Sequence, residues 1–124
     1  MIKKFEYKYD EETHILFKFY YGKITLKDIE NSWIYAFENF LIPLGTKKYI
    51  LDYRNSFLDI EIKETSAISD FLQKNLTYFK DSRIAVIMEK PRQIVYPNLV
   101  MKDDKQYKTR PFTSMEAAIE WVLM

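Results

Sequence analysis

The chain of 124 residues has no cysteine, one histidine and two glycines. The absence of cysteine excludes disulfides, thiolate metal sites and a cysteine nucleophile. One histidine excludes a multi-histidine metal site, and two glycines are too few for the glycine-rich loops that cradle phosphates. The composition therefore removes most of the chemistries that a sequence can reveal, and we predict neither a cofactor nor a metal.

Excess charge of one sign and long apolar runs are also missing. Nineteen Lys and Arg against eighteen Asp and Glu leave a net charge of +1, so no overall field attracts nucleic acid or an anionic membrane. No apolar run approaches the ~20 residues of a membrane helix, and no targeting signal is recognised. We expect one cytoplasmic domain over residues 1–124, without a nucleic-acid partner and without membrane insertion.

Aromatic residues are abundant, with ten Tyr, nine Phe and two Trp. Each ring buries a large area, and a buried tyrosine also needs a partner for its hydroxyl. The main interpretation is a core built from large rings. The alternative is that some tyrosines line a cleft or a subunit interface, where this residue type is enriched.

Two segments near the start of the chain alternate between apolar and polar residues. They are residues 3–9 and 14–21, joined by the polar stretch 10–13, and they predict an antiparallel hairpin with one buried face. In the second strand the buried face is predicted to carry Ile15, Phe17, Phe19 and Tyr21. The outer face is then predicted to carry His14, Lys18 and Tyr20.

Helical spacing follows the hairpin. Thr25 with Asp28 three residues later resembles a capping box, and apolar residues at spacings of three and four predict an amphipathic helix of about four turns. Further helices are predicted over roughly 60–77 and 92–101. A last helix is predicted after a second capping box, formed by Thr113 and Glu116. Its apolar face comprises Met115, Ala118, Ile119 and Val122.

Two apolar runs without alternation, 48–53 and 83–88, predict strands covered on both faces, as in a parallel sheet. A loop at 54–56 is predicted after the first run. Residues 106–110 are predicted as a short edge strand, because Pro111 cannot donate to a ladder. The order β-β-α-β-α-β-α-β-α indicates an α/β fold. Its mixed sheet has about five strands, an N-terminal antiparallel hairpin followed by parallel βα units, with helices packed on it.

This order resembles the STAS domains (sulfate transporter and anti-sigma-factor antagonist), and within them the SpoIIAA-like group. Four stretches carry the likeness: the opening hairpin, the strands at 49–54 and 83–88, and the ending at 111–122. The group's ending F-[ST]-x-x-x-E-A-x-x-W-[LV] is matched only loosely. The resemblance implies a non-enzymatic regulatory module that binds a protein partner or its own copy as a homodimer.

In the phospho-switch members of that group, a D-S-x-G-like stretch opens the helix after the central strand. Its serine is phosphorylated by a partner kinase, which breaks the partner complex. The matching segment here is 52–59, in which Ser56 is the available hydroxyl and no glycine follows it. Ser56 is therefore expected to be a turn or capping residue, and the switch is not carried over.

Ligands of open parallel sheets bind beyond the carboxyl ends of the strands. The candidate rim for a ligand or partner comprises Asp52, Arg54, Asn55, Ser56, Lys90 and Arg92. An arginine there could hold an anion through two parallel hydrogen bonds. The alternative is internal ion pairing, such as Asp52 with Arg54. Spacing alone assembles no catalytic set.

The second functional hypothesis is a binder of a small apolar ligand or lipid near the carboxyl ends of the parallel strands. Such a ligand needs a pocket of ~300–1,000 Å³. The aromatic residues proposed to line it are Trp33, Tyr53, Phe57, Phe71 and Tyr96.

Overall fold

A computed structural model describes residues 3–89 and 106–124. The strands are β1 (Phe5–Asp10), β2 (Ile15–Thr25), β3 (Lys48–Asp59), β4 (Arg83–Ile87) and β5 (Lys108–Phe112). The helices are α1 (Leu26–Glu38), α2 (Thr65–Lys74), α3 (Leu76–Phe79) and α4 (Met115–Val122), with a 3-10 turn at Ile62–Glu64 before α2. The helix predicted over 92–101 lies outside the described residues.

The five strands form one sheet in the order β1-β2-β3-β4-β5. Strands β1 and β2 are antiparallel, and β2, β3, β4 and β5 are mutually parallel. The predicted fold class is therefore confirmed, a mixed α/β sheet with a leading hairpin. Because the later strands are parallel, their carboxyl ends share one edge of the sheet.

Strand β3 runs on to Asp59, so the predicted loop at 54–56 is wrong. One residue of β2, Tyr20, spans both Tyr53 and Arg54 of β3, which makes a β-bulge. Pairing with β2 then resumes and continues to the ends of both strands. The polar segment stays extended because its backbone remains hydrogen-bonded to β2, a tertiary partner that local sequence does not show.

The bulge also changes which side chains face the core. Before it, Leu51 and Tyr53 belong to the main hydrophobic cluster, whereas after it Leu58 does. Phe57, on the other parity, is 49% exposed. One extra residue in a strand reverses the alternation beyond it, because successive side chains point to opposite faces.

Both faces of the sheet are covered. The main face packs against α1, α2 and α3, and its largest buried rings are Tyr20, Trp33, Tyr49 and Phe79. The opposite face packs against α4 through a smaller set, Ile15, Ile50, Ala85, Ile87, Ala118 and Val122.

The predicted facing of β2 is wrong, since Lys18 and Tyr20 are buried in the main face. Phe17 and Phe19, predicted inside, are half-buried on the other face. Alternation shows that a strand has two faces. It does not show which face meets the larger core when both are covered.

The helix starts show one success and one error. At α1 the predicted capping box is confirmed: the Asp28 N–H donates to Thr25 Oγ1 at 3.1 Å, and the Thr25 N–H donates to Asp28 Oδ2 at 2.9 Å. At α4 the N-cap is Ser114 rather than Thr113, and its Oγ accepts from the Ala117 N–H at 3.2 Å. Both residues carry the hydroxyl that a cap needs, so composition does not choose between them.

The other predicted boundaries shift modestly. The single helix predicted over 60–77 is divided into α2 and α3 at Asn75. The Asn75 side-chain amide donates to the Phe71 carbonyl at 2.7 Å, which satisfies an acceptor at the end of α2. The edge strand lies at 108–112 instead of 106–110 and includes Pro111, as an edge position allows.

Candidate functional site

Asp52 and Arg54, the first two residues of the predicted rim, form a closed ion pair within β3. Arg54 Nε and Nη2 donate to Asp52 Oδ1 and Oδ2 at 3.0 and 2.7 Å, and the Arg54 backbone N–H donates to Oδ1 at 3.0 Å. The hydrogen bonds that Arg54 donates to the Asp52 carboxylate raise the pKa of Arg54 above its usual value. One two-donor edge of the guanidinium is therefore already used by a carboxylate of the same strand.

Asn55 and Ser56, the other rim residues that the structure describes, differ in their burial. Asn55 is exposed, whereas Ser56 is buried and its hydroxyl donates to the Tyr53 carbonyl at 2.8 Å. Ser56 lies inside β3 rather than at a turn or a helix start, so its predicted role as a turn or capping residue is wrong. Lys90 and Arg92 lie outside the described residues.

Two of the proposed pocket residues, Trp33 and Tyr53, line an apolar cavity between the sheet and helices α1 and α2. Its volume is about 50 Å³, whereas pockets for drug-sized ligands occupy ~300–1,000 Å³. Phe57 is half-exposed on the other face, and Phe71 stacks on Phe37 with ring centroids 6.4 Å apart. Tyr96 lies outside the described residues. We therefore do not propose a lipid-binding role.

A buried amine at the centre of the main face is a candidate that the sequence analysis missed. The whole of Lys18 is 0% exposed. Four aromatic rings surround Lys18 Nζ, with centroids at 3.8, 4.7, 5.1 and 5.4 Å. In the same order they belong to Trp33, Tyr20, Phe5 and Tyr7. We call Lys18 with these rings the aromatic box.

Lys18 has a polar partner but no carboxylate. Its Nζ lies within hydrogen-bond distance of Ser32 Oγ on α1. In the parts of the chain that the structure describes, no ion pair includes Lys18. Burial disfavours the ammonium and holds the pKa of Lys18 well below its usual value.

Ser32 is held in place by its own helix and by β1. Its hydroxyl donates to the Ile29 carbonyl at 2.7 Å, and the Tyr7 hydroxyl donates to the Ser32 carbonyl at 2.5 Å. Ser32 belongs to the buried stripe of α1 with Ile29, Trp33 and Ala36. This stripe has helical spacing, so the sequence contained a signal that a hydroxyl faces the sheet. No corresponding signal marks Lys18, because the alternation in β2 indicates two faces without showing which of them meets the main core.

An open groove of about 550 Å³ runs between β1 and α1, beside the aromatic box. Ser32 lines it together with the box residues Phe5 and Tyr7. Near the start of α1 the Lys4 ammonium pairs with Asp28 Oδ2 at 3.0 Å. The groove is therefore an accessible space next to the buried amine, with both apolar and charged walls.

The loop that follows α1 carries two strongly exposed apolar side chains. Phe40 is 90% exposed and Leu44 is 92% exposed. Phe40 has a φ of 55°, in the left-handed region that is uncommon for a bulky side chain. The pair therefore presents an apolar surface to solvent, which we call the loop surface.

Within residues 3–89 and 106–124, no His, Asp and Glu side chains gather in threes or more where they could hold a metal ion. Over the same ranges, no helix has both the length and the apolar character to cross a membrane.

The strand order and the helices on both faces of the sheet define an α/β fold of the SpoIIAA-like class. One solved structure with this architecture is an uncharacterized protein of the DUF3478 family from Shewanella loihica PV-4, which has a SpoIIAA-like fold. The likeness has a TM-score of 0.64 at 16% sequence identity and covers 95% of this chain and 91% of that one. No protein-family model and no curated protein matches the sequence. The predicted SpoIIAA-like fold is thus confirmed.

Proposed function

We propose that this chain is a regulatory protein-interaction module that works by binding, and that its partner is a second copy of the same chain. The loop surface carries the proposal, because Phe40 and Leu44 are almost fully exposed. Fully burying one such side chain contributes ~1.5–3 kcal/mol. A contact that covers both side chains therefore stabilises the dimer relative to two separate monomers.

Charge and fold agree with this proposal. A net charge of +1 produces little repulsion between two copies. The SpoIIAA-like fold supports a binding role, because the stretches that resemble those regulatory domains are spread along the whole chain. The tight Asp52–Arg54 pair is consistent with a structural rather than a ligand-binding use of the strand ends.

Size-exclusion chromatography with light scattering, from micromolar to millimolar concentration, tests the proposal. We expect a dimer whose population increases with concentration. The double variant Phe40→Ser/Leu44→Ser should remain monomeric, because both apolar contacts are removed.

Ile62→Ser supplies the control, since Ile62 is also strongly exposed but lies beyond β3 at the other end of the sheet. It should dimerise like the unmodified chain. A strict monomer throughout the concentration range, or equal effects of the double variant and the control, would overturn the proposal.

A further inference from the structure

We propose that Ser32 is a nucleophilic serine with Lys18 as its general base, and that it accepts an acyl group from a carboxylic ester bound in the groove between β1 and α1. The proposal is independent of the loop surface. It rests on three observations: the amine beside the hydroxyl, the neutral surroundings of the amine, and the open groove that Ser32 lines.

The first observation is the placement of the two groups. A serine hydroxyl is a weak nucleophile until an adjacent base within hydrogen-bond reach takes its proton, and lysine serves as that base in some hydrolytic sites. Lys18 Nζ and Ser32 Oγ are within that reach. In the resting chain Nζ donates to Oγ and the hydroxyl donates to the Ile29 carbonyl, so proton transfer to the amine begins with rotation of the hydroxyl about its Cβ–Oγ bond. The Ile29 carbonyl and the Tyr7 hydroxyl fix the serine from the other side. The pair is therefore positioned by β1, β2 and α1 together.

The second observation is that the groups facing the amine are neutral. Tyr7 of β1, Tyr20 of β2 and Tyr53 of β3 are the titratable side chains of this region, and burial raises the pKa of all three. From α1 the neighbours are Ser32 and Trp33. Ring faces attract an ammonium by ~0.5–2 kcal/mol each, but desolvating an unpaired ion costs several kcal/mol. Desolvation therefore opposes the charged form, and an amine that has released its proton has a lone pair that can take one from the serine.

The third observation is the groove. Its volume of about 550 Å³ suits a small molecule. Besides Ser32, the apolar lining residues are Phe5, Tyr7, Tyr35 and Leu41. Lys3, Glu6, Asn31 and the Lys4–Asp28 pair add polar and charged groups. A ligand with an apolar acyl chain and a polar ester group matches this lining.

The acylation step balances within the site. Ser32 Oγ forms a bond to the ester carbonyl carbon while its proton moves to Lys18 Nζ. The bond from that carbon to the alcohol oxygen then breaks, and the leaving alkoxide takes the proton from Lys18. The products are acylated Ser32, a free alcohol and a neutral Lys18.

A fluorophosphonate probe, which phosphonylates activated serines with loss of fluoride, tests the pair directly on the full chain. We expect one adduct by intact mass and its assignment to Ser32 by peptide mapping. Ser32→Ala should abolish labelling, and Lys18→Met should slow it by about a hundredfold or more, since general bases contribute ~10²–10⁴. Circular dichroism melts verify that each variant is folded.

Ser69→Ala is the matched control. Ser69 is also a buried helical serine, but its hydroxyl lies 3.3 Å from the Tyr107 hydroxyl rather than beside a lysine. This variant should be labelled at the unmodified rate. The labelling rate of the unmodified chain should increase with pH well below 10.5, and this pH dependence should disappear in Lys18→Met.

The absence of cysteine gives a second readout if Ser32→Ala does not fold. Ser32→Cys and Ser69→Cys each introduce the chain's only thiol, and iodoacetamide should alkylate the first at least tenfold faster at neutral pH. Absence of any fluorophosphonate adduct, an adduct on Lys18 or elsewhere, or equal alkylation of the two thiols would each overturn the proposal.

Discussion

Two cationic side chains on neighbouring strands, Arg54 of β3 and Lys18 of β2, show opposite solutions to burial. Arg54 is partly buried and shares two hydrogen bonds with the Asp52 carboxylate, so its charge is balanced. Lys18 is fully buried and is surrounded by rings and one hydroxyl. The Asp52 carboxylate stabilises the charge of Arg54, whereas burial without a counter-ion lowers the pKa of Lys18.

The largest expected effect comes from removing one wall of the aromatic box. Trp33 contacts the rings of Tyr7, Phe37, Tyr49 and Phe79 and covers Lys18 Nζ. Trp33→Ala should lower the free energy of unfolding by about 3–5 kcal/mol, the range for truncating a large buried ring. Urea unfolding followed by circular dichroism measures this change.

The other tryptophan provides the control for that variant. Trp121 lies half-buried on the opposite face, against Phe112. Trp121→Ala should cost clearly less than Trp33→Ala. Equal losses would mean that the two faces of the sheet contribute equally to stability. This result would contradict the larger contribution expected of the main face.

An intermediate loss of stability is expected when the Arg54 side chain is removed. Arg54→Ala leaves the buried Asp52 carboxylate without its guanidinium, which should destabilise the chain by about 2–3 kcal/mol. The second variant, Asp52→Asn/Arg54→Ala, should recover part of the loss because no unpaired charge remains. Urea unfolding at neutral pH measures both, and an Arg54→Ala chain as stable as the original would contradict this account of the pair.

Removing the Lys18 amine should raise the free energy of unfolding, by less than the losses expected above. Lys18→Met fills a similar volume without a polar group and should raise the free energy of unfolding by about 1–2 kcal/mol at neutral pH. The stabilisation follows because the folded chain no longer has to bury an amine that prefers to be charged in water. A loss of stability would show that the box favours the ammonium.

Lys18→Met also isolates how the contribution of Lys18 to stability depends on pH. Between the lowered pKa in the folded chain and the ordinary value near 10.5 in the unfolded chain, the unfolded state binds one more proton at Lys18. Stability from this residue therefore rises with pH by about 1.4 kcal/mol per unit. The advantage of about 1–2 kcal/mol at pH 7 should therefore disappear within about 1.5 pH units, and Lys18→Met should be the less stable chain towards pH 10. Parallel urea titrations measure this change.

The sequence predicted features that depend on local pattern. The hairpin, the two parallel strands and the Thr25 cap follow from alternation, apolar runs and residue spacing. The extension of β3 to Asp59 depends on its pairing with β2, which local polarity hides. The burial of Lys18 depends on which face meets the larger core. The site was missed because a tertiary choice, rather than a motif, creates it.

The β-bulge at Tyr53 and Arg54 gives β3 one residue more than β2 along their paired length. Deleting one of these two residues would restore uninterrupted pairing with β2 and leave Leu58 on the main face, because Ile24, its partner in β2, belongs to the same cluster. Inserting one residue between the bulge and Leu58 would instead bring Phe57 opposite Ile24 and turn Leu58 to the other face, because successive side chains alternate. Losing one residue here should therefore be better tolerated than gaining one, and sequences that share this architecture should avoid insertions between the bulge and Leu58.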